Sequence, residues 1–210
     1  MRIVFNNSVF FFQKNGGISR YFLFIVEELI KKNHDIKILA PINKNNLLKS
    51  MPQKNKISFY IKRYPGYKFL EHINNNITNY YIKKIKPDIF HETYYSNYIF
   101  DNNKSKKIIT IYDLIHEKFS NYFSDDKIIK KKEVIMNYDH YICISENTKK
   151  DLVNFYQIPE KKISVIHLAG SHYRNINNEN KINKNVYGNF FLFVGSRETY
   201  KNFNLVVECY

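Results

Sequence analysis

The chain has 210 residues, 44% of them hydrophobic, which is enough for one full domain with a real core and part of a second. Its two cysteines, Cys143 and Cys209, build neither a disulfide framework nor a zinc site alone, and no apolar run approaches the length of a membrane span. The formal charge is +14, but the lysines fall in scattered groups such as Lys31-Lys32, Lys83-Lys84 and Lys130-Lys131-Lys132, which read as solvated helix faces, with an anionic membrane surface as the next reading and no interleaved basic stripe to suggest nucleic acid.

Met1 to Phe5 reads as a first strand, Ile3–Phe5, without the apolar core and cleavage site of a signal peptide, so a cytoplasmic protein is expected. A loop over Asn6–Asn15 follows. Its run Val9-Phe10-Phe11-Phe12 is costly to expose, and three readings stay open: burial, a cover over an acceptor, or contact with a membrane. After Gly16-Gly17, apolar residues at Ile18, Tyr21, Phe22, Ile25, Val26, Leu29 and Ile30 predict an amphipathic helix. Ile36–Leu39 is a second strand stopped by Pro41, and Ile57–Ile61 is a third. Leu70 to Ile85 is a long helix closed by Pro87, which cannot continue the hydrogen-bond ladder.

Strands are then expected at Asp88–His91, Ile108–Tyr112, Tyr141–Ile144 and Ile163–Ile166, with a helix over Ile128–Met136. Ser145 is a suitable N-cap for a helix over Glu146–Tyr156. The polar stretch 171–188 suits a linker, Phe190–Val194 reads as a strand, and a helix begins at Asn202. Alternating strands and helices predict an α/β fold, a doubly wound parallel sheet over residues 1–170, with 189–210 opening a second domain.

In such a sheet, ligands bind beyond the carboxyl ends of the strands. The candidate residues therefore lie in the loops 6–17, 91–95, 113–117, 145–147 and 167–172. Gly16-Gly17 opens a helix, where free amides can hold a phosphate or sugar; a plain turn is the other reading, and no dinucleotide fingerprint is present. His91 is either a sugar contact or a hydrogen-bonded structural residue. Asp113, His116 and Glu117 either orient sugar hydroxyls and move protons or brace their own loop.

Five segments in order resemble the family-four glycosyltransferases of GT-B fold, especially the mannosyltransferase-like members that build surface polysaccharide and lipopolysaccharide. They are the glycine loop and helix Gly16–Phe22, the strand and loop Thr110–Glu117, the segment Ile142–Leu152, the strand Lys162–His167, and Phe193–Arg197 with Lys201–Phe203. The resemblance implies two Rossmann-like domains facing a cleft. The first receives a glycan or lipid-linked acceptor, and the second holds a GDP- or UDP-sugar as substrate. A hexose is transferred with retention of configuration, without a metal or other cofactor.

By that resemblance Tyr112 and Asp113 are catalytic. Gly16, Gly17, His91, His116, Ser145 and Glu146 bind substrate, and Arg197 and Lys201 neutralise the donor diphosphate. Two positions depart from the family's pattern. Tyr112 stands where many members carry histidine, and Arg197 follows Ser196 instead of standing directly after the glycine, Gly195. The resemblance also implies that most of the donor site is absent from these residues, so little activity is expected from the chain alone. Peripheral contact with an anionic membrane is a further expectation. The rival readings are a non-catalytic glycan- or partner-binding domain and another Rossmann-type nucleotide enzyme.

Overall fold

A computed structural model describes residues 1–96, 104–123, 125–168, 191–195, 197 and 201–209. Seven parallel strands form one sheet: β1 (Arg2–Phe5), β2 (Asp35–Asn43), β3 (Lys56–Tyr60), β4 (Ile89–Glu92), β5 (Lys106–Ile111), β6 (His140–Cys143) and β7 (Ile163–Val165). Their spatial order is 3-2-1-4-5-6-7, and every pair is parallel. The chain winds outward from β1 to β3 and then returns to lay β4 against the free side of β1. That reversal is the topological switch point of a doubly wound, Rossmann-like sheet.

Alternation along β1 builds the core on both faces. Ile3 and Phe5 join Ile36, Ile38 and Ala40 beneath α2 (Gly17–Lys31), whose Phe22, Leu23 and Val26 are buried there. Val4 points the other way and meets Leu39, Phe90 and Ile82 of α3 (Tyr67–Ile85). A second cluster sets Ile109, Ile111, Tyr141 and Cys143 against Leu114, just before the single turn α4 (Ile115–Lys118), Val134 and Ile135 of α5 (Asp125–Ile135) and Leu152 of α6 (Glu146–Tyr156). Burial pushes the Cys143 thiol up to about 12, so it packs as a small apolar group.

Several sequence expectations change. Val9–Phe12 is not a loop: Ser8–Phe12 forms a short helix, α1, with Val9, Phe10 and Phe11 fully buried. Phe12 is half-buried against Phe11, Tyr67 and Tyr94. Packing satisfies these rings, so they are not a membrane contact. Strand β2 does not stop at Pro41. β1 pairs only with residues 35–38, and the pairing with β3 shifts register between Ala40 and Ile42. The proline thus sits at an irregularity where a missing N–H is tolerated, and the Ile42 amide donates to Asn74 Oδ1 at 2.8 Å.

Residues 191–195 form no strand, and Phe191, Leu192 and Val194 are exposed. A lone apolar segment gains no ladder bonds, so propensity alone does not make it a strand. A short helix, α7 (Phe203–Glu208), follows. The expected linker 171–188 lies outside the described residues. Among the described residues, no helix is long and apolar enough to cross a membrane.

Candidate functional site

At the switch point the loops after β1 and β4 are joined by buried polar groups. Asn6 Oδ1 accepts from the Thr93 amide at 2.9 Å and from Thr93 Oγ1 at 2.8 Å, and the Val9 amide donates to Thr93 Oγ1 at 3.0 Å. Glu92 is fully buried in their midst. Its Oε1 accepts from Ser8 Oγ at 2.7 Å and from Asn6 Nδ2, and its Oε2 accepts from Tyr138 OH at 3.1 Å. No lysine or arginine is among these partners. Burial pushes the carboxyl up to about 7, against the opposing pull of its hydrogen-bond donors.

His91, one residue earlier, is also buried. Its Nε2 lies 2.9 Å from Thr110 Oγ1, and its ring stacks on Phe5 at 5.2 Å and meets the edge of Phe22 at 5.2 Å. Burial holds its pKa down to about 3, so the imidazole is neutral at ordinary pH. A neutral ring locked between two phenylalanines braces the strand ends.

Gly16 and Gly17 start α2 as the sequence predicts. Gly16 is extended, and Gln13 caps the helix: its Oε1 accepts from the Ser19 amide at 3.3 Å, while Ser19 Oγ donates to Gly16 O at 3.0 Å. A side chain at Gly16 would strike that Gln13 carboxamide, whereas a Cβ at Gly17 meets nothing within 4 Å. The protein's own packing thus explains Gly16 but not Gly17. The same helix carries Tyr21, whose hydroxyl bonds the Thr110 side chain and whose ring lies 6.2 Å from that of Tyr112.

Tyr112, just past β5, is 8% exposed, and its hydroxyl is buried with no hydrogen-bond partner among the described residues. Desolvation holds it well above its usual pKa, so it remains a neutral phenol. An unpaired buried hydroxyl is rare because it costs the full desolvation penalty, and a ligand oxygen would relieve it. Asp113 follows. Its carbonyl oxygen accepts from Tyr95 OH and from Lys131 Nζ, both at 3.1 Å, and its Oδ1 accepts from the Ile115 amide at 3.3 Å.

Ser145 caps α6 as expected, accepting from the Thr148 amide at 3.1 Å. Thr148 Oγ1 donates to Tyr112 O at 3.4 Å, which ties this helix start to the Tyr112 loop. Glu146 is exposed in the first turn of α6, and His116 packs its ring 4.3 Å from that of Phe123. Gly17, His91, Tyr112, Asp113 and Ser145 therefore share the carboxyl end of the sheet. Arg197 and Lys201 belong to the separate segment around α7, where the Arg197 guanidinium lies 4.6 Å over the Phe203 ring.

Sequence reasoning missed Glu92 as a special carboxylate and placed Lys131 on a solvated face. Lys131 is buried. Its Nζ donates to Glu117 Oε2 at 3.0 Å and lies 4.6 Å over the Tyr95 ring, while Tyr156 OH donates to Glu117 Oε1. One signal was present: Lys131 falls three residues after Ile128 and four before Ile135, in phase with the apolar stripe.

A comparison with curated proteins found no match to this chain. The family model described as Glycosyltransferase Family 4 matches residues 15–169, about three quarters of the chain, from the loop before α2 to just past β7. Together with the sheet order and the polar residues at its carboxyl end, this shows that the chain belongs to glycosyltransferase family 4.

Proposed function

We propose that the chain serves a retaining hexosyltransferase that moves a hexose such as mannose from a GDP- or UDP-sugar to a polysaccharide or lipid-linked acceptor in the cytoplasm. Residues 1–170 are the acceptor-side domain, 171–188 the linker, and 189–210 the opening of the donor-binding domain. Tyr112 and Asp113 meet the transferring sugar. Gly16, Gly17, His116, Ser145 and Glu146 line the approach, His91 braces the strand ends behind it, and Arg197 and Lys201 face the diphosphate.

The observation that carries this reading is the orphaned Tyr112 hydroxyl at the end of β5, in a chain of this family. A sugar hydroxyl fits such a group, because it both donates and accepts. The test is binding of a short mannose oligosaccharide, as acceptor, to the parent and to Tyr112→Phe by calorimetry, because most of the donor site lies outside these residues. The variant should fold and lose roughly tenfold in affinity, the worth of one good hydrogen bond. Equal affinity of both proteins would remove Tyr112 from the site. No binding by the parent would count against the acceptor-side assignment.

A further inference from the structure

One stretch of the chain carries cations without any carboxylate. From Ile36 to Leu70 there is no Asp or Glu, while Lys37, Lys44, Lys49, Lys54, Lys56, Lys62, Arg63 and Lys68 supply eight cations. These residues are β2, β3 and the corner that leads into α3, and β3 is an edge strand. These cations come in addition to the exposed helix-face pairs Lys31-Lys32 and Lys83-Lys84 that the sequence predicts.

Some of them are occupied within the fold. Lys56 Nζ donates to Leu48 O at 2.8 Å, and Lys37 donates to Lys54 O. Lys49 lies 3.6 Å over the Tyr60 ring, and Lys44 lies 5.3 Å over the Tyr64 ring. Those at the corner face outward. Between Lys62 and Phe69 every residue except the half-buried Tyr64 is exposed, and no carboxylate among the described residues pairs with Lys62, Arg63 or Lys68.

The corner also exposes aromatic surface. Phe69 and, on the edge strand itself, Phe59 are each 69% exposed, and Tyr67 is 38% exposed. Large apolar side chains at such exposure, set among unpaired cations, mark an interaction surface. Its base is firm. Tyr64 stacks on the buried Phe11 at 4.5 Å, and Tyr67 packs against Phe11 at 5.1 Å and Phe12 at 6.2 Å. Gly66, in the left-handed conformation that suits glycine, turns the chain into α3.

We propose that this corner, Lys62 to Phe69, docks the protein on an anionic phospholipid surface. The match is one of chemistry: lysine and arginine meet lipid phosphates, and phenylalanine, with no polar tip, enters the acyl boundary. A projecting corner suits a flat membrane better than a nucleic-acid strand, which needs a charged groove to follow. Docking here would present the carboxyl end of the sheet at a fixed height above the lipid, because the corner is packed directly on α1.

Co-sedimentation with pure phosphatidylcholine vesicles and with mixed phosphatidylglycerol–phosphatidylcholine vesicles tests it. The full chain should pellet with the mixed vesicles only, and raised salt should weaken the binding. A Lys62→Gln, Arg63→Gln, Lys68→Gln variant should lose roughly a hundredfold in partitioning, from about fivefold per cation. Phe69→Ser should lose about tenfold. A control triple on the opposite edge, Lys150→Gln, Lys161→Gln, Lys162→Gln, removes the same charge and should change binding less than about threefold if position matters. All these side chains are exposed, so the denaturation midpoints should not move. The proposal falls if the parent pellets equally with both vesicles or with neither. It also falls if the control triple costs as much as the corner triple, or if Phe69→Ser binds like the parent. Tighter binding of polyuridylate than of mixed vesicles, lost in the corner triple, would make the partner a nucleic acid and equally overturn it.

Discussion

Glu92 and Glu117 are both buried near the carboxyl end of the sheet, and the fold treats them in opposite ways. Glu117 has a cation: Lys131 Nζ stands 3.0 Å away, with the two side chains 6% and 3% exposed. Glu92 has only neutral donors, from Ser8, Asn6 and Tyr138, and burial raises its pKa to about 7. One carboxylate sits at ion-pair distance from a lysine of α5. The other is held by dipoles and gives up much of its charge near neutral pH. Accepting hydrogen bonds is therefore not the same as balancing a charge, and only the second sets a Coulomb attraction against the desolvation penalty.

Breaking the charged pair should have the largest effect. Lys131→Met leaves Glu117 buried without its cation and should cost about 3–5 kcal/mol in urea denaturation. Lys131→Met with Glu117→Leu should recover most of that loss, because removing both charges removes the imbalance. If the single and the double variants were equally destabilised, the pair would matter through packing and not through charge.

The uncharged site responds to pH. Between its unfolded value of 4.5 and its folded value of about 7, Glu92 holds a proton in the folded state that the unfolded chain has released. Its contribution is therefore fully present below pH 4.5 and is lost as pH rises to about 7. His91 acts in the opposite sense. Its folded pKa of about 3 lies below the unfolded 6.5, so its contribution is present above pH 6.5 and is lost as pH falls toward 3. The two slopes oppose each other from pH 4.5 to 6.5, and neighbouring residues thus flatten the profile.

Glu92→Gln mimics the neutral acid and separates the two. It should match the parent below pH 4.5 and exceed it by on the order of 3 kcal/mol at pH 8, at 1.36 kcal/mol per pKa unit. Denaturant midpoints measured across pH 4–8 decide it, and a constant offset between the proteins would mean that Glu92 does not titrate in this range.

The smallest effect sharpens the contrast with a polar group that has no hydrogen-bond partner among the described residues. Tyr112→Phe deletes a buried hydroxyl without a hydrogen bond, so the ligand-free protein should gain about 1 kcal/mol while ligand binding weakens. A loss of stability in calorimetry would show that the hydroxyl has a partner within the fold. Gain in stability with loss of binding is the pattern expected of a group kept for a ligand.

The short-range features of this chain were legible in the sequence. Ser145 as N-cap and α6 at Glu146–Tyr156 match the expectation residue for residue, and Gly16-Gly17 opens α2. The parallel doubly wound sheet followed from short apolar strands alternating with helices. Each of these depends on residues within a turn or two of one another, where periodicity and capping leave a local trace. Other features were settled only in three dimensions. The partners of Glu92 at Asn6 and Ser8 lie 86 and 84 residues away, and Tyr156 reaches Glu117 across 39. Nothing in the neighbourhood of Glu92 records that its environment holds no cation. Lys131 reads in the sequence as one of three solvated lysines, yet α5 turns it inward; of the three readings open for Phe10 to Phe12, burial holds because Phe10 joins the core under α2 and Tyr64 and Tyr67 pack on Phe11 and Phe12. Segment 191–194 shows the converse: strong β-propensity without a neighbouring strand leaves it unpaired. Propensity and pattern act along the chain, whereas burial, charge pairing and strand partnership are decided by whatever the fold brings alongside.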